Sequence, residues 1–449
     1  MSGNTDTTVE QAKVSPAGKD TTVGNYFVSN YPPFSFWKKE GVDDYRQAIE
    51  RAPNPETPLG LYLHIPFCRK RCHFCYFRVY TDKNASAING YLKAAAKELE
   101  LYRQQPFIGD RKLDFIYFGG GTPSYLSVDQ LTKLTDDLKE TLPWDDAREV
   151  TFECEPGTLT SQKLKAIREI GVTRLSLGIE NFDDHILEIN GRAHRSRESE
   201  RSFGYARELG FPQINIDLIA GMVEETEDNW KRCIEKTLEL SPDSVTAYQM
   251  EVPYNTTIYK EMREEGKLIA PVADWETKRR WVNDAFSALE AEGYTVGSAY
   301  TAVKDKSKTN FVYRDQLWAG ADLLALGVAS FGHIGGTHYQ NKHDFEPYVN
   351  DLLDGNLPVY RGLTPSNDER LIREFILQLK LGRVSCQYFN EKFDTDVLKR
   401  FAAPLEQIKN WGFLKVDGDQ ILLSRDGLLQ VDRLLHEFFL PEHRNVRYA

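Results

Sequence analysis

Short apolar runs alternate with longer stretches whose apolar positions recur at helical spacing, from residue 59 to residue 250. The runs at 61–65, 113–118, 150–153, 174–179, 214–219 and 244–250 predict strands. The stretches 85–104, 127–142, 161–170, 195–209 and 225–240 predict helices, with Ser127 placed to cap the second by pairing with Gln130. Pro66 bounds the first strand and Gly119-Gly120-Gly121 ends the second. Helices of this length allow right-handed crossovers, so the strands should be parallel and the fold α/β. The pattern alone leaves open whether the sheet closes into a barrel or stays doubly wound.

The rhythm loosens after residue 255. Helical spacing returns near 257–265 and 274–292, and 323–328 reads as one more strand. Residues 366–445 look like a separate helical piece in which 413–416 and 420–423 flank Asp417-Gly418-Asp419 as a hairpin. A small winged-helix-like domain is expected there. Ahead of the first strand, 1–22 reads as a disordered tail. Residues 25–37 are aromatic, with Pro32 and Pro33 barring a helix, so this segment should lie across another surface. The expected organisation is a tail over 1–22, an arm or lid over 23–57, the α/β domain over 58–360 and a C-terminal domain over 361–449.

Composition narrows the partners. Among 449 residues, 56 Lys plus Arg against 67 Asp plus Glu give a net charge of −11, a poor match for a nucleic-acid backbone. With 41% apolar residues the chain supports a sizeable core and is no disordered or disulfide-stapled peptide. No long uncharged apolar run predicts a membrane span, and the polar start lacks a secretory core, so a cytoplasmic location is expected.

The chemistry concentrates in Tyr62-Leu-His-Ile-Pro-Phe-Cys68-Arg-Lys-Arg-Cys72-His-Phe-Cys75, directly after the first strand. Three thiolates spaced Cys-x3-Cys-x2-Cys can hold three irons of a [4Fe–4S] cluster and leave the fourth open to a small molecule. A loop at the C-terminal end of a strand is where such sheets bind ligands. Zinc would need a second pair, and none is spaced for it; a redox pair would leave Cys68 unexplained. His73 could be a ligand or a plain loop residue. Cys154, Cys233 and Cys386 read as small buried hydrophobes. Gly119–Gly121 lets backbone approach a ligand, but the Gly-Lys-Ser/Thr ending of a phosphate loop is missing. Glu153, at a strand end, could bind an ammonium or a ribose, and Asp217 with Arg192 could bracket a second nucleotide-like ligand.

The three-cysteine spacing resembles the signature of the radical S-adenosylmethionine (SAM) superfamily. The flanks are similar to its HemN-like branch, which contains oxygen-independent coproporphyrinogen III dehydrogenase, the haem chaperone HemW and the class C methyltransferases. The matching pieces are Phe118-Gly-Gly-Gly-Thr-Pro-Ser-Tyr-Leu126, Glu153-Cys-Glu-Pro156, Arg174-Leu-Ser-Leu-Gly178, Gly191-Arg-Ala-His194, Asp217-Leu-Ile-Ala-Gly221 and Leu324-Ala-Leu-Gly-Val-Ala-Ser330. The resemblance implies a partial β/α barrel of TIM type. It implies a [4Fe–4S] cluster on Cys68, Cys72 and Cys75 that cleaves SAM to a 5′-deoxyadenosyl radical, two bound SAM molecules and a flavodoxin-type electron donor. Tyr62, Gly120, Glu153 and Phe331 fall at contacts of the cluster-bound SAM. Phe74, Gly121, Thr122, Arg192 and Asp217 fall at contacts of the second. Glu180 stands where the family usually has Gln.

Within the branch, Phe77 replaces the fourth cysteine of the porphyrinogen dehydrogenase. Asn310-Phe-Val-Tyr-Arg-Asp-Gln-Leu-Trp318 has no histidine where the haem chaperone carries one, and the aromatic arm with Tyr31-Pro-Pro-Phe resembles the dehydrogenase's. Elimination favours class C methyl or methylene transfer from a second SAM to an sp2 carbon of a small conjugated substrate. Porphyrinogen decarboxylation, anaerobic haem degradation and a non-catalytic haem carrier stand as alternatives. His333, His338 and His343 could touch haem, though polar surface use is the ordinary expectation for loop histidines.

Overall fold

The computed structural model describes residues 24–266 and 271–444; the expected tail at 1–22 lies outside them. Twelve strands form one sheet: β1 (Leu59–Ile65), β2 (Phe115–Gly120), β3 (Glu149–Cys154), β4 (Arg174–Glu180), β5 (Gln213–Ala220), β6 (Ser244–Gln249), β7 (Thr295–Val296), β8 (Thr301–Val303), β9 (Asp322–Leu326), β10 (Phe331–Ile334), β11 (Thr337–Asn341) and β12 (Val359–Leu363). Their order is β12-β11-β10-β9-β1-β2-β3-β4-β5-β6-β8-β7. β1 to β6 are parallel throughout, and β9 joins β1 in parallel. The edges β12 and β7 do not pair, so the α/β barrel is partial and open.

The five expected crossover helices are present at Ala85–Arg103, Val128–Thr141, Ser161–Glu169, Ser196–Glu208 and Glu227–Leu240. Ser127 caps the second through a reciprocal box with Gln130. Ser127→Ala should cost about 1 kcal/mol in urea unfolding, since it orphans one end-of-helix N–H.

Alternation along the parallel strands sorts the two faces. Leu61, Leu63 and Ile65 are fully buried with the helices in the larger core. The opposite face is polar, and its in-register pairs run Tyr62 to Tyr117, Glu153 to Ser176, Ser176 to Asn215 and Asp217 to Thr246. A row of polar side chains along the concave face is what a ligand-filled barrel requires and a packed one does not.

The sequence pattern missed the antiparallel additions at both sheet edges, β7–β8 and β10–β12, because such short strands carry too few alternating positions. It also missed the helix Gly41–Ile49 inside the arm. The hairpin near 417–419 is present as β14 (Leu414–Asp417) and β15 (Gln420–Leu423), joined by a third strand, β13 (Arg383–Ser385). These strands and the helices around them enclose a second core of Ile372, Phe375, Phe401 and Leu434. Val28 and Tyr31 of the arm belong to this second core, whereas Tyr45 and Ile49 belong to the first. The arm therefore straps the two cores together. His333 and His338 are buried, not surface residues, with Nδ1 atoms 3.0 Å apart. His343 alone lies in the open, beside Asp344 and Tyr360.

Candidate active site

The loop after β1 is pinned at both ends by backbone bonds. Cys68 N–H donates to Tyr80 O (3.1 Å), Tyr80 N–H to Pro66 O (2.7 Å), and His73 N–H to Asn190 O (3.0 Å). Arg71 Nη2 donates to Cys75 O (3.0 Å). These bonds turn all three cysteines into one cavity of about 390 Å³ at the C-terminal ends of the strands. His73 is turned away from the wall, against Gly191.

Burial pushes the Cys68 thiol up to about 12, against a lowering hydrogen bond from Thr122, and the Cys75 thiol up to about 11. Such thiols need positive charge to ionise, and coordination to iron supplies it. Thr122 Oγ1 donates to Cys68 Sγ (3.3 Å) and Arg192 Nη1 to Cys72 Sγ (3.3 Å), so donors for sulfur are already in place. A Cβ on Gly121 would stand 3.0 Å from Cys68 Sγ, which explains a glycine there. Among the described residues no three His, Cys, Asp or Glu side chains converge on a point that would hold a single ion.

Carboxylates line the barrel-side wall. Glu153 accepts from Tyr117 Oη (2.6 Å) and Gly120 N–H (3.1 Å), and burial pushes it up to about 7. Asp217 accepts from Ser176 Oγ (2.7 Å) and Asn215 Nδ2 (2.9 Å); burial raises it as well. Glu180 sits after an irregularity in the β4–β5 register with φ of 65°, a left-handed conformation that a glutamate adopts at a cost. The kink aims it at Arg192 Nη1 (3.6 Å), yet burial still pushes it up to about 7. Burial opposes the Arg192 charge, but Cys72, Glu180 and Glu155 outweigh it and hold the guanidinium ionised. Arg192 also donates to Gly178 O.

Of the residues singled out from sequence, the structure brings Cys68, Cys72, Phe74, Cys75, Gly120, Gly121, Thr122, Glu153, Glu180, Arg192 and Asp217 to this cavity wall. Tyr62 and Phe331 are not on it. Tyr62 bonds His64 through its hydroxyl (3.1 Å), and Phe331 packs on Phe34 (4.3 Å) and Trp37 (5.6 Å) of the arm.

The sequence reading gave three groups no place in the site. Glu155, within the Glu-Cys-Glu-Pro motif, is held by Arg69 (3.3 Å) and by His194 Nδ1 (3.2 Å). Tyr76 and Phe77 stack at 4.7 Å on the cavity wall and are 43% and 44% exposed. Phe27 from the arm, Tyr300 just before β8 and Asp432 from the C-terminal piece complete the roof. The Glu-Cys-Glu-Pro motif, Phe77 in place of a fourth cysteine and the aromatic arm around Phe27 each pointed to one of these, whereas Tyr76, Tyr300 and Asp432 carried no sequence signal.

Comparisons with known proteins agree with the geometry. The model of the radical SAM superfamily matches residues 62–237. The heme chaperone HemW of Bacillus subtilis (strain 168) is 31% identical over 373 residues, covering 82% of this chain and 96% of its own. The oxygen-independent coproporphyrinogen III oxidase of Pseudomonas aeruginosa is 26% identical over 440 residues, 94% and 95% of the two chains. The solved coproporphyrinogen III oxidase (HemN) of Escherichia coli superimposes with a TM-score of 0.80 at 25% identity, over 92% of this chain and 96% of that one.

Proposed function

Since this chain belongs to the radical SAM superfamily, in its HemN-like branch, we propose that it is a radical enzyme of the coproporphyrinogen III oxidase type. In this reading it takes a hydrogen atom from a porphyrinogen-class substrate or a near relative of one. Its cofactors are a [4Fe–4S] cluster and SAM. When bound, they supply one-electron cleavage of a sulfonium and, through it, hydrogen-atom abstraction. No helix of the described residues is long and apolar enough to cross a membrane.

The chain's own residues divide the remaining work. Cys68, Cys72 and Cys75 would hold the cluster, with Thr122 and Arg192 donating to the sulfurs of Cys68 and Cys72. Glu153, Glu180 and Asp217 offer negative charge to the cationic sulfonium and ammonium groups, and Gly120 and Gly121 leave room for them. Two SAM molecules fit this division, because the carboxylates are spread over β3, β4 and β5. Tyr62 acts through His64, and Phe331 through the arm. The roof of Phe27, Tyr300 and Asp432 keeps water from the reacting carbon. Abstraction of a hydrogen atom from a propionate side chain would leave a carbon radical; breaking its C–COO⁻ bond releases carbon dioxide, forms a vinyl C=C bond and frees one electron for a one-electron carrier of the flavodoxin class.

The observation that carries this reading is that the likeness to the oxidases covers 92–94% of this chain, and that residues of the arm and of the C-terminal piece line the cavity. A carrier has no need of such a roof. The expectation of class C methyl transfer yields to it, because the full-length relatives described above are named as oxidases and a chaperone. Phe77 and Tyr76 make the mouth aromatic, which suits stacking on a pyrrole ring.

The test is anaerobic reconstitution with reductant, coproporphyrinogen III and SAM carrying a trideuterated methyl group. Substrate-dependent, unlabelled 5′-deoxyadenosine together with loss of carbon dioxide is expected. Deuterium in the 5′-deoxyadenosine would restore the methyl-transfer reading. Stoichiometric haem binding without 5′-deoxyadenosine would favour a carrier.

Affinity for SAM should also depend on pH. Burial holds Glu153 and Glu180 near 7, and a cation binds best when they are ionised. Affinity therefore rises as pH increases from about 6 to 8, by up to roughly tenfold per unit for each proton released. Glu153→Gln should weaken binding by roughly tenfold at pH 8 and flatten the profile. Equilibrium dialysis with labelled SAM reads both; a wild-type profile that falls with pH would exclude this role.

A further inference from the structure

A second cavity, of about 260 Å³, lies at the opposite end of the barrel from the cysteines. It sits between the segment leading into β1, the start of β9, the β10–β11 turn and the helix Asn367–Leu379. The active-site reading leaves it without a role.

Its charge is positive. Asp322 is the only carboxylate on its wall and is already engaged: Oδ2 accepts from Arg111 Nη2 (2.9 Å) and Oδ1 from Gly335 N–H (2.9 Å). Behind Asp322, the Arg111 side chain is only 8% exposed and its Nη1 is buried without a hydrogen-bond partner. Arg51 and Arg370 are on the wall itself. The Arg370 guanidinium makes no hydrogen bond among the described residues, and the Gly335-Gly336 turn lies against it, a Gly336 Cβ falling 3.8 Å from Nη1.

The wall also presents one uncharged acceptor. His338 Nε2 lies 3.2 Å from the Tyr31 carbonyl, which can only accept, so Nε2 carries the proton. Burial, aided by the charges of Arg370 and Arg373, keeps both His333 and His338 neutral. His338 Nδ1 is therefore bare and accepts from Nδ1–H of His333 across 3.0 Å. This leaves the lone pair on Nε2 of His333, a residue of the cavity wall. The chain is anchored at its far end, because Trp37 stacks on His338 at 5.0 Å and 5°. The tautomer is thus set by the fold rather than by a ligand.

We propose that this cavity binds a small oxyanion that also carries a hydroxyl, either hydrogen phosphate or a hydroxyl-bearing phosphomonoester. Arg370 and Arg51 supply the charge, and His333 Nε2 accepts the hydroxyl proton. An acceptor fixed in this way discriminates: sulfate matches phosphate in shape but has no proton to give near neutral pH, and it would leave the nitrogen unpaired.

Calorimetric titration of the anaerobically reconstituted protein with inorganic phosphate, glycerol phosphate and sulfate tests the proposal. Phosphate or glycerol phosphate should bind at least about tenfold more tightly than sulfate. The tighter of the two identifies the source as free anion or organic ester. Arg370→Gln should weaken both by roughly tenfold, and His333→Phe should bring phosphate down to the level of sulfate. If the buried His333 variant fails to fold, Arg370→Gln and the phosphate-to-sulfate ratio still decide. Equal binding of sulfate and phosphate, binding indifferent to Arg370→Gln, or no binding of either phosphate would overturn the proposal.

Discussion

Replacing Cys68, Cys72 or Cys75 with Ala is expected to give a folded, colourless protein that cleaves no SAM. The expectation follows from the donor count. Cys68, Cys72 and Cys75 are the three thiols that the loop after β1 brings to the cavity, so losing one leaves two anchors for a cluster that needs three. Removing a sulfur also strands its donor, Thr122 for Cys68 and Arg192 for Cys72. The fold should survive, because the loop is held by backbone bonds through Tyr80, Pro66 and Asn190 and not by the thiols. Visible absorbance, iron content and 5′-deoxyadenosine by mass spectrometry check the result. A variant that retained SAM cleavage would remove the cysteines from the chemistry.

Lys380→Met should have the largest effect on stability, about 3–5 kcal/mol. Lys380 is 0% exposed and Asp432 1% exposed, 2.8 Å apart. The ammonium also donates to Val28 O (2.6 Å) and lies over the Phe27 ring (3.7 Å to its centre). Asp432 in turn accepts from Val28 N–H (2.9 Å) and from the Tyr300 hydroxyl. Removing the lysine leaves a buried carboxylate with only neutral donors, and it unfastens the arm from the roof. Urea unfolding should shift accordingly, and proteolysis within the arm should speed up. The double variant Lys380→Met, Asp432→Leu should recover part of the loss, because no charge is then left unpaired. A loss below about 1 kcal/mol in the single variant would show that water reaches the pair.

The parallel core was legible because its strands and helices each carry their own period, and burial of the helix-side face enforces it. The three-cysteine loop stood out because three thiols at that spacing have few other uses. The polar residues that complete the site were only partly legible. Glu153 and Asp217 stood out at strand ends, whereas Ser176 and Asn215 look like ordinary strand residues until register sets them beside Asp217. Tyr62 and Phe331 came from resemblance, and the fold moved both off the wall by giving each a partner, His64 for one and the arm for the other.

Other features depend on contacts between residues hundreds of positions apart. The arm's attachment to Asp432 and Lys380 joins residues separated by more than 350 positions, and no local pattern encodes such a bond. His333 and His338, five apart, read as loop residues because the hairpin that faces them toward each other is too short to show a period. The sequence by itself determined the parallel α/β core and the family and singled out three candidate cluster cysteines, since local periodicity and thiol spacing are written along the chain. Only the tertiary structure decided how the cavity is roofed, how the carboxylates are oriented and which tautomer each buried histidine holds, since these depend on long-range contacts and on burial that exists only once the chain has folded.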